Sequence, residues 1–207
     1  MNASRGALKA CSILLQYPTE RTFAVLDDVD AVAGALPARR GGRSLHRMVG
    51  WLRATPPAVV AETYVDTFDF DRRASLYLSY YVHGDTRDRG AALLALRGSY
   101  RAAGYRMSGD ELPDYLPVML ELAALDDAGL VALGEHRAAL EVLRTTLRDA
   151  QSPYADLLDV IAVLLPRAPR RVLAAAHRML RDGPPSEQVG LEPYVLPDAR
   201  DGAGGCP

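Results

Sequence analysis

Apolar residues recur three and four positions apart in segment after segment of this chain, the spacing that gathers side chains on one face of an α-helix. Leu8, Cys11, Leu14 and Leu15 make a first face, closed by Tyr17-Pro18. Thr19 is placed to cap a second helix carrying Phe23, Leu26, Val29 and Val32, which ends near Gly34 and Pro37. Beyond the loop Ala38 to Arg43, Leu45, Met48, Val49 and Leu52 predict a third helix, stopped by Pro56-Pro57. Val59, Val60, Thr63, Tyr64 and Phe68 mark a fourth, and Leu76, Tyr77, Tyr80 and Tyr81 a fifth. A sixth, capped by Asp85, turns Leu93, Leu96 and Tyr100 inward and stops before Gly104.

The second half repeats the pattern. Leu116, Met119, Leu120 and Ala123 form a face that begins at Pro113, a residue tolerated in a first turn. Leu140, Leu143 and Leu147 form another, and Tyr154, Leu157, Leu158, Ile161, Ala162 and Leu165 a further one after Ser152-Pro153. Val172, Leu173, Ala176 and Leu180 complete the set. No alternating run of β-branched residues is long enough for a strand. The pattern predicts an all-α, single-domain bundle of about nine or ten short helices over residues 1–182. Residues 183–207 hold five Gly and five Pro and read as a flexible tail. Within it, Leu191, Tyr194, Val195 and Leu196 are an apolar cluster that could dock on the body.

Composition sharpens this reading. Ala and Leu supply 62 of the 207 residues and Ile only two, a balance that favours helix. A net charge of −2 argues against a nucleic-acid binder that relies on bulk charge. No apolar run reaches the roughly 18 residues of a membrane span, and no signal-peptide core follows Met1 to Lys9. A cytoplasmic protein without membrane insertion is expected. Cys11 falls on an apolar face and reads as core, and Cys206 as an exposed thiol; two cysteines so far apart give neither a disulfide framework nor a zinc site. Seven acids and no Lys or Arg lie between Met107 and His136, whereas eight Arg face four acids from Arg137 to Arg181. The acidic stretch is either a solvated face or a surface for a basic partner. Phosphate loops, dinucleotide fingerprints, nucleophile elbows and histidine metal motifs are all missing, so the sequence gives no support for an enzyme and calls for no cofactor.

Two segments carry more than periodicity. Tyr64 to Arg89 (YVDTFDFDRRASLYLSYYVHGDTRDR) packs six aromatics into 18 residues, more aromatic surface than one helix face needs. Such a cluster is either a tyrosine-rich core or the wall of a groove for peptide. Glu111 to Glu121 (ELPDYLPVMLE) brackets Asp114 and Tyr115 between two prolines at a helix start, which puts a carboxylate and a phenol on a rigid corner.

These segments, with the opening SILLQYP (Ser12 to Pro18), resemble the NarJ-type nitrate reductase delta subunit, a molybdenum-cofactor assembly chaperone in the wider TorD/DmsD class of redox-enzyme maturation proteins. The likeness runs from SILLQYP through HGDTRDRG and the LPDYLP corner to about Leu180. It implies an all-helical, non-enzymatic chaperone that binds the N-terminal segment of the nitrate reductase catalytic (alpha) subunit. The apo-subunit would thereby stay competent for cofactor insertion before membrane anchoring, and the chaperone would not remain in the finished enzyme. A sibling chaperone that accepts the twin-arginine leader of another molybdoenzyme is the alternative.

The implied client is a short amphipathic segment with basic residues. Phe68, Tyr77, Tyr80 and Tyr81 are the expected groove wall, with Tyr64 and His83 beside them. Asp66, Asp69 and Asp114 are the expected acidic rim, next to Pro113 and Tyr115. In the wider class the corner reads Pro-Asp-His; here the third position is Tyr115, so a titrating imidazole is replaced by a hydrogen-bonding phenol. A nucleotide-hydrolysing role finds no phosphate loop, and a transcription regulator would have only the arginines of Arg167 to Arg181 as a recognition helix.

Overall fold

Helix α1 (Ala3–Leu14) begins at Asn2, whose side chain accepts the Arg5 backbone N–H at 2.9 Å and so satisfies one orphan donor of the first turn. It lies along α8 (Leu116–Leu125), where its Ser12 Oγ donates to the Pro117 carbonyl at 2.8 Å, and it buries Ala7, Leu8, Cys11 and Leu14 in the core. Seven of the ten residues of α8 are buried, which makes it the central strut of the bundle. The structure is a computed structural model that describes residues 2–107 and 109–185, and within them it is all-α with one isolated β-bridge. The predicted tail lies outside the described residues from 186 onward, and with it Leu191, Tyr194, Val195, Leu196 and Cys206.

Twelve α-helices are present among the described residues, against the nine or ten that periodicity predicts. The second predicted helix breaks at Val25 into α2 (Glu20–Ala24) and α3 (Leu26–Ala35). Thr19 caps α2 as its position suggests, and its N–H donates to Thr22 Oγ1 at 3.1 Å. Then come α4 (Gly42–Ala54), α5 (Pro57–Phe68), α6 (Tyr80–His83) and α7 (Arg87–Ala102). Past α8 follow α9 (Asp127–Glu135), α10 (Arg137–Asp149), α11 (Ala155–Leu164) and α12 (Arg170–Asp182). Helix α9 has no counterpart in the periodicity reading, because small residues make its contacts: Gly129 and Ala132 are buried along with Leu133.

Three further boundaries differ from the sequence reading. Leu76 to Ser79 is not α-helical: it pairs with the 113–116 corner through Tyr77 and then turns at Leu78 and Ser79, and only Tyr80–His83 forms a helical turn. Thr86, not Asp85, is the N-cap of α7, while Asp85 reaches Arg89 at 3.6 Å. Helix α8 starts at Leu116, with Pro117 in its first turn and Pro113 left in the corner.

Helices α3 and α11 pack on α1 with α4 against both of them, while α9 folds back along α8. Helix α12 lies along α10, and ion pairs within α10 and to α11 take up Arg137, Arg144 and Arg148. Glu141 is buried and takes Arg137 at 2.9 Å and Arg144 at 2.8 Å; Arg144 and Arg148 both reach Asp159. The acidic stretch is likewise partly neutralised from α1: Arg5 pairs with Asp127 at 2.8 Å, and Lys9 pairs with Glu121.

Cys11 is wholly buried, and that desolvation pushes its thiol up to about 12. In a chain carrying Cys206→Ser, Cys11 should therefore react with a thiol-specific disulfide reagent at pH 8 more than about 100-fold slower folded than in denaturant. Comparable rates in the two conditions would show that α1 opens readily.

Candidate peptide-binding groove

The two unusual segments of the sequence meet as backbone. Leu78 N–H donates to Asp114 O at 3.0 Å and Leu116 N–H to Leu76 O at 2.8 Å, forming an antiparallel bridge between Tyr77 and Tyr115. This zips the stretch before α6 onto the corner before α8. A side-chain tie completes the join: Asp114 is fully buried, and its Oδ2 accepts from Ser79 Oγ at 2.5 Å and from the Ser79 backbone N–H at 3.2 Å. Arg89 reaches the same oxygen at 3.5 Å and donates through Nε to Ser79 Oγ at 3.2 Å. Its guanidinium also lies 5.8 Å and 5.9 Å from the ring centroids of Tyr77 and Tyr80. The Tyr100 hydroxyl donates to the Pro113 carbonyl at 2.8 Å and fixes the corner from α7.

Two clefts open on either side of this join. The larger, about 570 Å³, is lined by Tyr17, Tyr100, Tyr105, Met107, Tyr115, Val118, Leu122 and Leu125, with Glu111, Glu121 and Arg106 as its charged groups. The smaller, about 230 Å³, is lined by Phe68, Tyr77 and Tyr80 together with Asp69, Asp85, Arg72 and Arg89. Tyr77 belongs to one and Tyr115 to the other, and their ring centroids are 5.1 Å apart. The Tyr77 hydroxyl lies 3.5 Å from Glu111 Oε2, so the wall between the clefts is aromatic below and polar at its lip. Desolvation raises the phenols of Tyr77, Tyr100 and Tyr115, so at neutral pH each remains a protonated donor.

The residues singled out from sequence divide into three groups. Phe68, Asp69, Tyr77 and Tyr80 line the smaller cleft, and Tyr115 lines the larger. Tyr64, Tyr81, Pro113 and Asp114 are buried supports. Tyr64 donates to Leu15 O at 3.1 Å and packs with Phe68 and Tyr154, centroids 4.8 Å and 5.8 Å away. The Tyr81 hydroxyl sits 2.8 Å and 2.9 Å from the Arg73 and Ser75 carbonyls. Asp114 thus stands inside the fold rather than on the acidic rim where the sequence reading puts it; its Oδ2 is taken up by Ser79 and Arg89, while Oδ1 is buried without a hydrogen-bond partner among the described residues. Asp66 is exposed on α5 and lines neither cleft. His83 is half-buried, and its carbonyl accepts from Thr86 Oγ1 at 2.8 Å in the turn that follows α6.

Most of the larger cleft is missed by sequence reasoning, since Tyr17, Tyr100, Tyr105 and Leu125 come from four separate segments. A partial signal was present for Glu111 and Glu121, which belong to the acidic stretch. Arg89, within the TRDR run, is the residue that links both tyrosines of the smaller cleft to Asp114. Chemically, these surfaces offer apolar area, phenolic donors, carboxylates and the guanidinium groups of Arg72, Arg89 and Arg106. Among the described residues no cluster of His, Cys, Asp or Glu could hold a metal ion, and no helix is long and apolar enough to cross a membrane.

The profile of the family described as "Nitrate reductase delta subunit" matches residues 35–159, which enclose the join and both clefts apart from Gln16 and Tyr17. The chain belongs to this nitrate reductase delta subunit family. NarJ of Escherichia coli strain K12, named as a nitrate reductase molybdenum cofactor assembly chaperone, is 33% identical over 158 residues, which cover 74% of this chain and 66% of NarJ. An inferred chaperone of the same name from Bacillus subtilis strain 168 is 34% identical over 158 residues, 75% of this chain and 86% of its own. The nitrate reductase-like protein NarX of Mycobacterium tuberculosis is 39% identical over 155 residues, 74% of this chain. That stretch is 23% of NarX, so the present chain spans about a quarter of that longer relative. A solved structure of a proposed redox enzyme maturation protein from Archaeoglobus fulgidus aligns with a TM-score of 0.55. It covers 74% of this chain and 88% of the other at 20% identity, a likeness of fold alone. As a member of this family the chain has the all-α architecture that its periodicity predicts, and the residues of its join fall within the matched region.

Proposed function

We propose that this protein is a non-catalytic, cytoplasmic maturation chaperone for nitrate reductase. Its paired clefts bind the N-terminal segment of the apo catalytic (alpha) subunit and hold that subunit competent for molybdenum cofactor insertion before membrane anchoring, after which the chaperone leaves. The observation that carries this reading is the Tyr77–Tyr115 wall, with an aromatic cleft on each side and exposed carboxylates among the charged residues of both. A peptide with an apolar face and one or two basic residues satisfies such a surface: the apolar face covers the rings while the bases meet Glu111, Asp69 or Asp85. Because these acids are exposed at the rim, they contribute direction and encounter rate more than affinity.

Calorimetric titration of the full chain with a synthetic peptide of the alpha subunit's N-terminus, beside a scrambled control, tests this. Only the native sequence should saturate. Tyr115→Ala should weaken it about 30-fold, the loss typical of a buried aromatic anchor. Glu111→Gln should cost about threefold and reduce the salt dependence, as exposed charge pairs do. Equal heats from both peptides would sink the reading. Preference for a twin-arginine leader from another molybdoenzyme would keep the groove and change the client.

A further inference from the structure

Gly84 is buried, with φ +57 and ψ −146, and what covers it is the far end of the chain. A Cβ on residue 84 would stand 1.7 Å from the Pro185 carbonyl oxygen and 2.8 Å from its carbonyl carbon. After α12 the backbone therefore crosses directly over the His83–Asp85 turn. That turn adjoins Tyr80 and Asp85, two lining residues of the smaller cleft. The chain thus leaves the described fold at the mouth of the groove, with 22 residues still to come.

We propose that Leu191 to Leu196 of this C-terminal segment docks in the aromatic clefts when no client is present, as a weak placeholder that the client displaces. The inference rests on the reading of these clefts as a peptide site. Reach is sufficient: six residues from Pro185 to Leu191 span up to about 20 Å, and eleven to Leu196 about 38 Å. The composition suits a placeholder as well. Leu191, Tyr194, Val195 and Leu196 supply apolar anchors, while Glu187, Glu192, Asp198 and Asp201 face a single base, Arg200. A segment with net negative charge gains apolar burial and can meet Arg72, Arg89 or Arg106, but it meets repulsion from Asp69, Asp85 and Glu111, the acids that a basic client would pair with. Tethering compensates for weak intrinsic affinity. At an effective concentration on the order of 1 mM, a site of about 0.1 mM is filled roughly nine times in ten, and client affinity falls about tenfold.

The test uses the full chain and a full-length variant carrying Leu191→Ser, Tyr194→Ser, Val195→Ser and Leu196→Ser, both checked by circular dichroism. Amide exchange at residues 76–85 and 111–122 should be about tenfold faster in the variant, and the variant should bind the alpha-subunit peptide about tenfold more tightly. A synthetic peptide of residues 186–202 should bind the variant saturably, and the same peptide with the four serines should not. Identical exchange in the two chains with no binding of the 186–202 peptide overturns the proposal. Protection that grows with protein concentration also overturns it, by assigning the segment to a second copy. Binding of the 186–202 peptide where the alpha-subunit peptide fails to bind either chain upholds the docking and instead removes the nitrate reductase client.

Discussion

Gly129→Ala is expected to destabilise the fold by about 3 kcal/mol, lowering the thermal midpoint by roughly 6–12 °C for a chain of this size. A methyl at residue 129 would stand 2.2 Å from the Ala123 nitrogen, 2.5 Å from its Cα and 2.6 Å from the Leu122 carbonyl carbon. All three are backbone atoms of α8, so no side-chain rotation relieves the clash; α9 must move away from the helix on which the core is built. Because α8 is the most buried helix, that separation also opens contacts around Ala123 and Leu133. Gly134→Ala is the internal control. The same helix carries it, and a Cβ there meets nothing within 4 Å. Its ordinary helix propensity should therefore raise stability by up to about 1 kcal/mol. Opposite signs from two Gly→Ala changes five residues apart, read by thermal unfolding, separate packing from propensity. A neutral Gly129→Ala would mean that α8 and α9 are not in contact at this crossing.

The same crossing explains what was legible in the sequence. Helices whose contacts are made by Leu, Met, Val and Tyr at three- and four-residue spacing, such as α1, α4 and α11, were readable as faces, because large side chains repeat visibly. Helix α9 touches its neighbours through Gly129 and Ala132, and small residues leave no such trace. The stretch Leu76 to Tyr81 misled in the opposite way: its aromatics have helical spacing, yet Tyr77 bridges to Tyr115 and the chain turns at Leu78 and Ser79 before α6 begins. What decides between these readings is the 113–116 corner, a partner some 35 residues away that no local pattern names. The candidate site follows the same logic. Family motifs marked the two segments that form the join, but the tyrosines of the larger cleft come from α7, the loop that follows it and the turn after α1, and only the fold gathers them. Charge was legible in sign but not in use: Glu121 and Asp127 already hold Lys9 and Arg5, and Asp114 serves the interior.

Asp114→Ala should show that interior role, with an effect on binding out of proportion to its distance from solvent. Removing the carboxylate leaves the Ser79 backbone N–H without its acceptor in a buried site and strips Arg89 of one of its two acidic partners. Truncating one side of such a buried, charge-assisted tie costs about 3 kcal/mol. Ser79→Ala removes the hydroxyl bond but keeps the backbone donor on Asp114, so about 1 kcal/mol is expected. The functional consequence follows from the geometry. Asp114 holds the turn at Ser79 against the corner, and that junction sets the Tyr77 and Tyr115 rings 5.1 Å apart as the wall shared by both clefts. Asp114→Ala should therefore lose detectable binding of the alpha-subunit peptide at temperatures well below its own unfolding, although its carboxylate is closed to solvent. Ser79→Ala should retain most of that binding. Urea unfolding paired with calorimetry at 10 °C reads both quantities. A folded Asp114→Ala protein that binds like the parent would show that the join does not shape the groove, and the peptide site would have to be sought on another face of the bundle.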